Sequence, residues 1–179
     1  MNLVLKRTPG IYLVGFMASG KTTVGRHLAQ RMGWNFFDLD SEIENAEKMA
    51  IAEIFESRGE SEFRRIEREI LRQHLRWIER GRPAILALGG GAFTIGENRA
   101  LLAGNGLSIW LDCPFDVVAR RVAAQPHAAV RPLARDLEKF AALFESRRAL
   151  YQLADVHICH AADDPEHAVD AILKHPALQ

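Results

Sequence analysis

The sequence predicts an α/β fold with a parallel sheet flanked by helices. Three observations predict it. Short apolar runs alternate with longer segments of helical period, the pattern of strands joined by crossover helices. A glycine-rich loop separates the first run from the first helical segment. The 179 residues are 48% hydrophobic and 26% charged, enough apolar surface for one substantial core and unlike the composition of disordered chains. A chain of this length fits a single domain, expected here to span 1–179, and excludes two full catalytic domains.

In chain order, the five apolar runs predict strands at 11–14, 35–39, 84–88, 107–111 and 156–160. Between the first two, residues 22–32 place Val24, Leu28, Ala29 and Met32 at helical spacing, with Gly33 as terminator, which completes one βαβ unit. Residues 41–80 are rich in Glu, Arg, Ile and Leu and are broken at Gly59, so two or three helices are expected beside the sheet. Phe63, Ile66, Ile70 and Leu71 form the apolar stripe of the last of these. Residues 98–103 and 114–124 read as further crossover helices, the second opening with Pro and Asp. Segment 125–136, with two prolines and no periodicity, is expected to be a mobile loop. A final helix begins near Asp164 and Pro165.

Composition narrows the function classes. Lys and Arg total 23 and Asp and Glu total 23, so the chain is neutral overall, which argues against a general nucleic-acid coat. Cys113 and Cys159 stand in no CxxC spacing, so a disulfide framework has no support and a reducing cytoplasm is expected. The apolar run after Lys6 and Arg7 is too short for a signal peptide, and no stretch approaches the roughly 18 apolar residues of a spanning helix. No membrane or nucleic-acid partner is expected.

The chemistry begins directly after the first strand. Gly15-Phe-Met-Ala-Ser-Gly20-Lys21-Thr22 matches G-x-x-x-x-G-K-[ST] and opens a helix, as that motif requires. Backbone N–H groups of such a loop and the positive helix end make an anion cradle; Lys21 reaches the β- and γ-phosphates and Thr22 offers its hydroxyl to Mg²⁺. Asp38-Leu39-Asp40 falls at the end of the second strand, where strand alternation gives both carboxylates the same facing toward the ligand crevice. Phe63-Arg64-Arg65-Ile66-Glu67 sits on a helix, and Leu88 leads into Gly89-Gly90-Gly91, where a ligand can approach the backbone closely.

These segments, with Val130-Arg131-Pro132-Leu133 and an SRRALY stretch before the last strand, resemble the shikimate kinases, small members of the nucleoside monophosphate kinase-like P-loop superfamily. The resemblance runs from about Ile11 to the last helix. It implies a three-layer fold around a five-stranded parallel sheet of order 2-3-1-4-5, with a substrate-binding helical region at about 40–80 and a mobile lid at about 125–136. It implies phosphoryl transfer from ATP, with Mg²⁺, to the 3-hydroxyl of shikimate, a step toward chorismate and the aromatic amino acids, in a cytoplasmic monomer.

Residue by residue, the resemblance assigns the nucleotide to Gly15, Ala18, Ser19 and Gly20, with Lys21, Thr22 and Thr23 following, and to Arg121 at the adenine and Arg131 of the lid. Thr22 and Asp38 match the metal-holding pair, and Asp40 matches the aspartate on the reacting hydroxyl. Arg64 and Arg147 match the grip on the shikimate carboxylate, joined by the backbone of Gly89, Gly90 and Gly91 and lined by Phe55 and Phe63. Glu67, one turn beyond Arg64, is placed to orient its guanidinium. Ala18 departs from the glycine common in the family and carries strain if its φ is positive. His157-Ile-Cys159-His160 alternates faces in a strand and no carboxylate follows at ligand spacing, so no zinc site is assigned. Two other readings are weighed: phosphorylation of another hydroxylated acid such as gluconate, against which the paired arginines and triple glycine argue, and a non-catalytic effector-sensing domain, against which Lys21, Thr22 and Asp40 argue.

Overall fold

The computed structural model describes residues 10–124, 136–161 and 163–178. The central strand β1 (Gly10–Val14) is buried along its whole length because helices cover both faces of the sheet. Tyr12 and Val14 enter one apolar layer, Ile11 and Leu13 the other. β1 pairs in parallel with β3 (Ala84–Ala87) on one side and β4 (Gly106–Asp112) on the other. β2 (Asn35–Asp38) extends the sheet beyond β3, and β5 (Val156–Cys159) beyond β4. The order is therefore β2-β3-β1-β4-β5, as expected. The chain leaves β1 for β2 and returns to β3 beside it, which opens a crevice at the carboxyl ends of the strands.

On one face lie α1 (Lys21–Met32) and α7 (Pro165–Leu173), whose Val24, Leu28, Val169 and Ile172 pack on Ile11 and Leu13. Gly33, at φ 67°, ends α1 with its N–H on the Ala29 carbonyl, as its position suggested. The other face carries α2 (Leu39–Glu47), α3 (Ile51–Glu79), α4 (Gly96–Leu102), α5 (Phe115–Ala123) and α6 (Leu137–Tyr151), whose apolar residues share one core cluster. Within α3, Gly59 leaves the helical region (φ 82°, ψ 170°), so two helical stretches meet there at a kink. The second stretch carries Phe63, Arg64 and Glu67.

The structure departs from the sequence expectations at strand ends and in one helix. β2 ends at Asp38, so Leu39 and Asp40 open α2 instead of continuing the strand; Asp38 caps that helix, its Oδ1 accepting from the N–H groups of Asp40 (3.1 Å) and Ser41 (3.2 Å). β3 and β5 each stop one residue short of the expected end, at Ala87 before Leu88 and at Cys159 before His160. α6 was not among the elements expected from periodicity: apolar residues such as Leu137, Ala142 and Phe144 surround this helix, with no single stripe to read. Among the described residues no helix is long and apolar enough to cross a membrane.

Candidate active site

The loop after β1 turns into α1 through Gly20, and none of the first-turn residues of α1 is itself acidic, so the positive end of the helix opens on the crevice. The Lys21 ammonium lies across the loop and donates to the carbonyls of Gly15 (2.9 Å) and Phe16 (2.8 Å). Ala18 has φ 57°, so alanine does occupy the left-handed region that glycine adopts freely. Ala18→Gly is expected to stabilise the fold by up to ~1 kcal/mol, the relieved strain exceeding the added freedom of the unfolded chain. That corresponds to a Tm rise of up to about 2–4 °C, read by calorimetry; a lower Tm would show that the loop holds alanine without strain.

Asp38 and Asp40 reach the site by separate routes. Asp38, at the end of β2, accepts a hydrogen bond from the Thr22 hydroxyl on its Oδ2 at 2.5 Å while capping α2 with Oδ1. Asp40 projects from the first turn of α2 and packs against the chain beyond β3: a Cβ built on Gly89 would lie 2.5 Å from Asp40 Oδ1. A Cβ on Gly91 would lie 2.5 Å from Arg64 Nη2, and one on Gly90 3.2 Å from Arg147 Nη1. The triple glycine is thus a floor against which one carboxylate and two guanidinium groups rest, and any side chain there would displace them.

Around this floor the charges are braced. Arg64 Nη1 donates to Glu67 Oε2 at 2.8 Å, and Glu60 lies 3.6 Å from Nη2. Glu67 is only 1% exposed; burial raises its carboxyl above the ordinary range, the Arg64 guanidinium opposes that, and the Asp40 carboxylate adds to it. Arg147, on α6, lies 5.7 Å from the Phe16 ring centre. Phe140 and Phe144 of α6 pack edge-on against that same ring (5.4 and 5.2 Å), which fixes the helix carrying Arg147 to the phosphate loop. Tyr151 donates its hydroxyl to the Gly90 carbonyl, and burial pushes its pKa up to about 12.

A cavity of about 490 Å³ brings together Ala18, Gly20, Lys21, Thr22 and Thr23 of the loop, Asp38 and Asp40, Gly90, and Arg121. Gly15 and Ser19 shape the loop from behind, Ser19 being buried. Arg64, Arg147, Gly89 and Gly91 are not on the cavity wall; they join it at the glycine floor. Phe55 and Phe63 meet at a tilt of 32° with ring centres 4.5 Å apart, and Phe63 is buried in the core with the Arg64 guanidinium 5.1 Å from its ring. Arg121 donates to the Ala18 carbonyl (3.3 Å) and to Asp163 (3.2 Å). Arg131 and the rest of 125–135 lie outside the described residues.

Sequence reasoning missed His160, Asp163, Pro165 and Tyr151. His160 is buried against the phosphate loop, where a Cβ on Gly20 would stand 3.0 Å from its Nε2. Its backbone N–H donates to the Asp112 carbonyl at 2.8 Å, and burial, helped by Arg121, holds its pKa below the usual histidine value. It lines the cavity with Asp163 and Pro165 only because β5 lies beside β4, a proximity for which no local signal exists.

The family model described as shikimate kinase matches residues 17–176 of the chain. A shikimate kinase of Brucella canis is 40% identical over 151 residues, covering 83% of this chain and 72% of that protein. One of Persephonella marina is 38% identical over 164 residues, covering 91% and 96%. Among solved structures, shikimate kinase from Acinetobacter baumannii in complex with shikimate superposes with a TM-score of 0.83 at 35% identity, covering 94% of this chain and 93% of that one. A gluconokinase from Sinorhizobium meliloti, at 17% identity and a TM-score of 0.52, shares the fold alone.

Proposed function

The chain belongs to the shikimate kinase family, and we propose on that premise that the cavity binds ATP beside shikimate and transfers the γ-phosphoryl group to the 3-hydroxyl. The observation that carries the reading is the convergence on one glycine floor of an anion grip, Arg64 and Arg147, and a carboxylate, Asp40, which also lines the cavity of the phosphate loop. The acceptor is an acid with a hydroxyl to be phosphorylated, so it needs both.

In this reading the hydroxyl oxygen attacks the γ-phosphorus, the bond to the β-phosphate oxygen breaks to release ADP, and the hydroxyl proton passes to Asp40. Lys21 exchanges its loop carbonyls for phosphate oxygens and, with Arg131, stabilises the charge that develops on the transferring group. The Thr22 hydroxyl and the Asp38 carboxylate, in contact and facing the cavity, are the hard oxygen donors that suit Mg²⁺. When bound there, the ion would supply charge neutralisation for the phosphates. Arg121 stands on the adenine side of the loop, and Arg64 and Arg147 hold the carboxylate through the planar fork that lysine lacks. The protein is proposed to act as a single-domain cytoplasmic monomer without nucleic-acid or membrane partners.

A coupled assay of ADP release tests this against a panel of acids. Shikimate is expected to support turnover, whereas gluconate and a shikimate analogue without the carboxylate should give little. Equal turnover on gluconate would replace the proposed acceptor.

A further inference from the structure

At the β5 edge of the sheet, on the face that α6 covers, a cluster of residues is not used by the kinase reading. His157 and Cys159 are two residues apart on β5 and so share one face, while Val156 and Ile158 fill the opposite core. In the parallel register Cys159 stands opposite Asp112 of β4, and His157 opposite Trp110. The His157 ring stacks on Trp110 with centres 4.2 Å apart and planes 12° from parallel, and its Nε2 meets Asp112 Oδ2 at 2.9 Å. One donor atom from each of Asp112, His157 and Cys159 can be chosen so that all lie within 4.8 Å of one another.

We propose that Asp112, His157 and Cys159 form a binding site for a borderline-soft divalent cation of the zinc class. Local spacing gives no sign of such a site, since no carboxylate follows the histidine and cysteine at ligand spacing. The carboxylate arrives instead across the ladder, from a residue 45 positions earlier. Its donor set of carboxylate oxygen, imidazole nitrogen and thiolate sulfur is the one zinc accepts, and a thiolate disfavours Mg²⁺, which separates this site from the oxygen pair Thr22 and Asp38. Three protein ligands leave a fourth position for water.

Tetrahedral bonds of about 2.0–2.3 Å place donors roughly 3.3–3.8 Å apart, so the cluster must close by about 1 Å at its widest. The movable parts permit that: the His157 side chain is half exposed and Cys159 is exposed at the sheet edge. Asp112 is the fixed member, held in β4 and paired with Arg148 Nη2 at 3.1 Å. That guanidinium opposes the cation, while two anionic ligands attract it. The expected affinity is therefore well below that of a four-ligand structural zinc site.

Titration of the full chain with Co²⁺ tests the site without any measurement of phosphoryl transfer, so it stands or falls separately from the kinase reading. The wild type is expected to develop a near-ultraviolet thiolate-to-cobalt band that saturates at one equivalent and is displaced by Zn²⁺. C159S should lose the band, C113S should keep it, and H157A should weaken cobalt binding at least ~10-fold. Unchanged Tm in chelator would show that the exposed C159S and H157A changes leave the fold intact. No band in the wild type, a band that survives in C159S, or equal affinity in H157A would overturn the proposal.

Discussion

In the Asp40→Asn variant, kcat for shikimate phosphorylation is expected to fall at least ~100-fold, within the range of about 10² to 10⁴ that a positioned proton acceptor contributes. Asparagine keeps the shape and can still lie against Gly89, where the Asp40 carboxylate now rests. What it loses is the capacity to take the hydroxyl proton and to favour the hydroxyl orientation in which the oxygen attacks. The phosphate loop, the Thr22 to Asp38 contact and the arginine grip involve other atoms, so ATP affinity should change little. The backbone N–H of Asp40 that caps on Asp38 is retained, so the fold should also be. Steady-state kinetics with separate titrations of ATP and shikimate make the distinction, and near-normal turnover would remove Asp40 from the mechanism.

Arg64→Ala and Arg147→Ala are each expected to weaken shikimate binding by ~2 to 4 kcal/mol, the effect of removing a charge-assisted bond to a desolvated carboxylate. The two should differ in a way the structure anticipates. Loss of Arg64 strands Glu67, a carboxylate that is 1% exposed and bonded to that guanidinium at 2.8 Å, so Arg64→Ala should also lower Tm. Arg147 leans on the Phe16 ring, reaches Gly90 from α6 and bonds the Tyr151 hydroxyl, which keeps the Gly90 carbonyl as a partner, so its removal should lower Tm less than that of Arg64. Lysine at either position should rescue poorly, because a point charge lacks the fork. Isothermal titration with shikimate, paired with calorimetric Tm, reads both effects; if shikimate binds both alanine variants as well as the wild type, the grip is wrong.

The strands of the sheet and the loop that opens α1 are legible from local sequence. Parallel strands covered on both faces read as apolar runs, so β1, β3 and the buried 109–111 stretch of β4 announce themselves, and the loop between β1 and α1 is specified by glycines and a lysine at fixed spacing. Gly33 and Gly59 marked a helix end and a kink because positive φ is local chemistry. Other features depended on which segments meet. Asp40 is on α2 because Asp38 satisfies the first N–H groups of that helix, a capping bond that outweighs continuation of the strand. Periodicity missed α6 because its apolar residues are not confined to one stripe; its phenylalanines are placed by contact with Phe16, from a loop more than 120 residues earlier. The triple glycine was legible as open backbone, yet its use as a rest for Asp40, Arg64 and Arg147 required three separate elements to converge. His160 under the phosphate loop, and Asp112 beside His157 and Cys159, exist only because β5 lies next to β4. Spacing along the chain carries information about neighbours on one element; contacts across a sheet are set by strand order, and that is decided by the packing of the whole core.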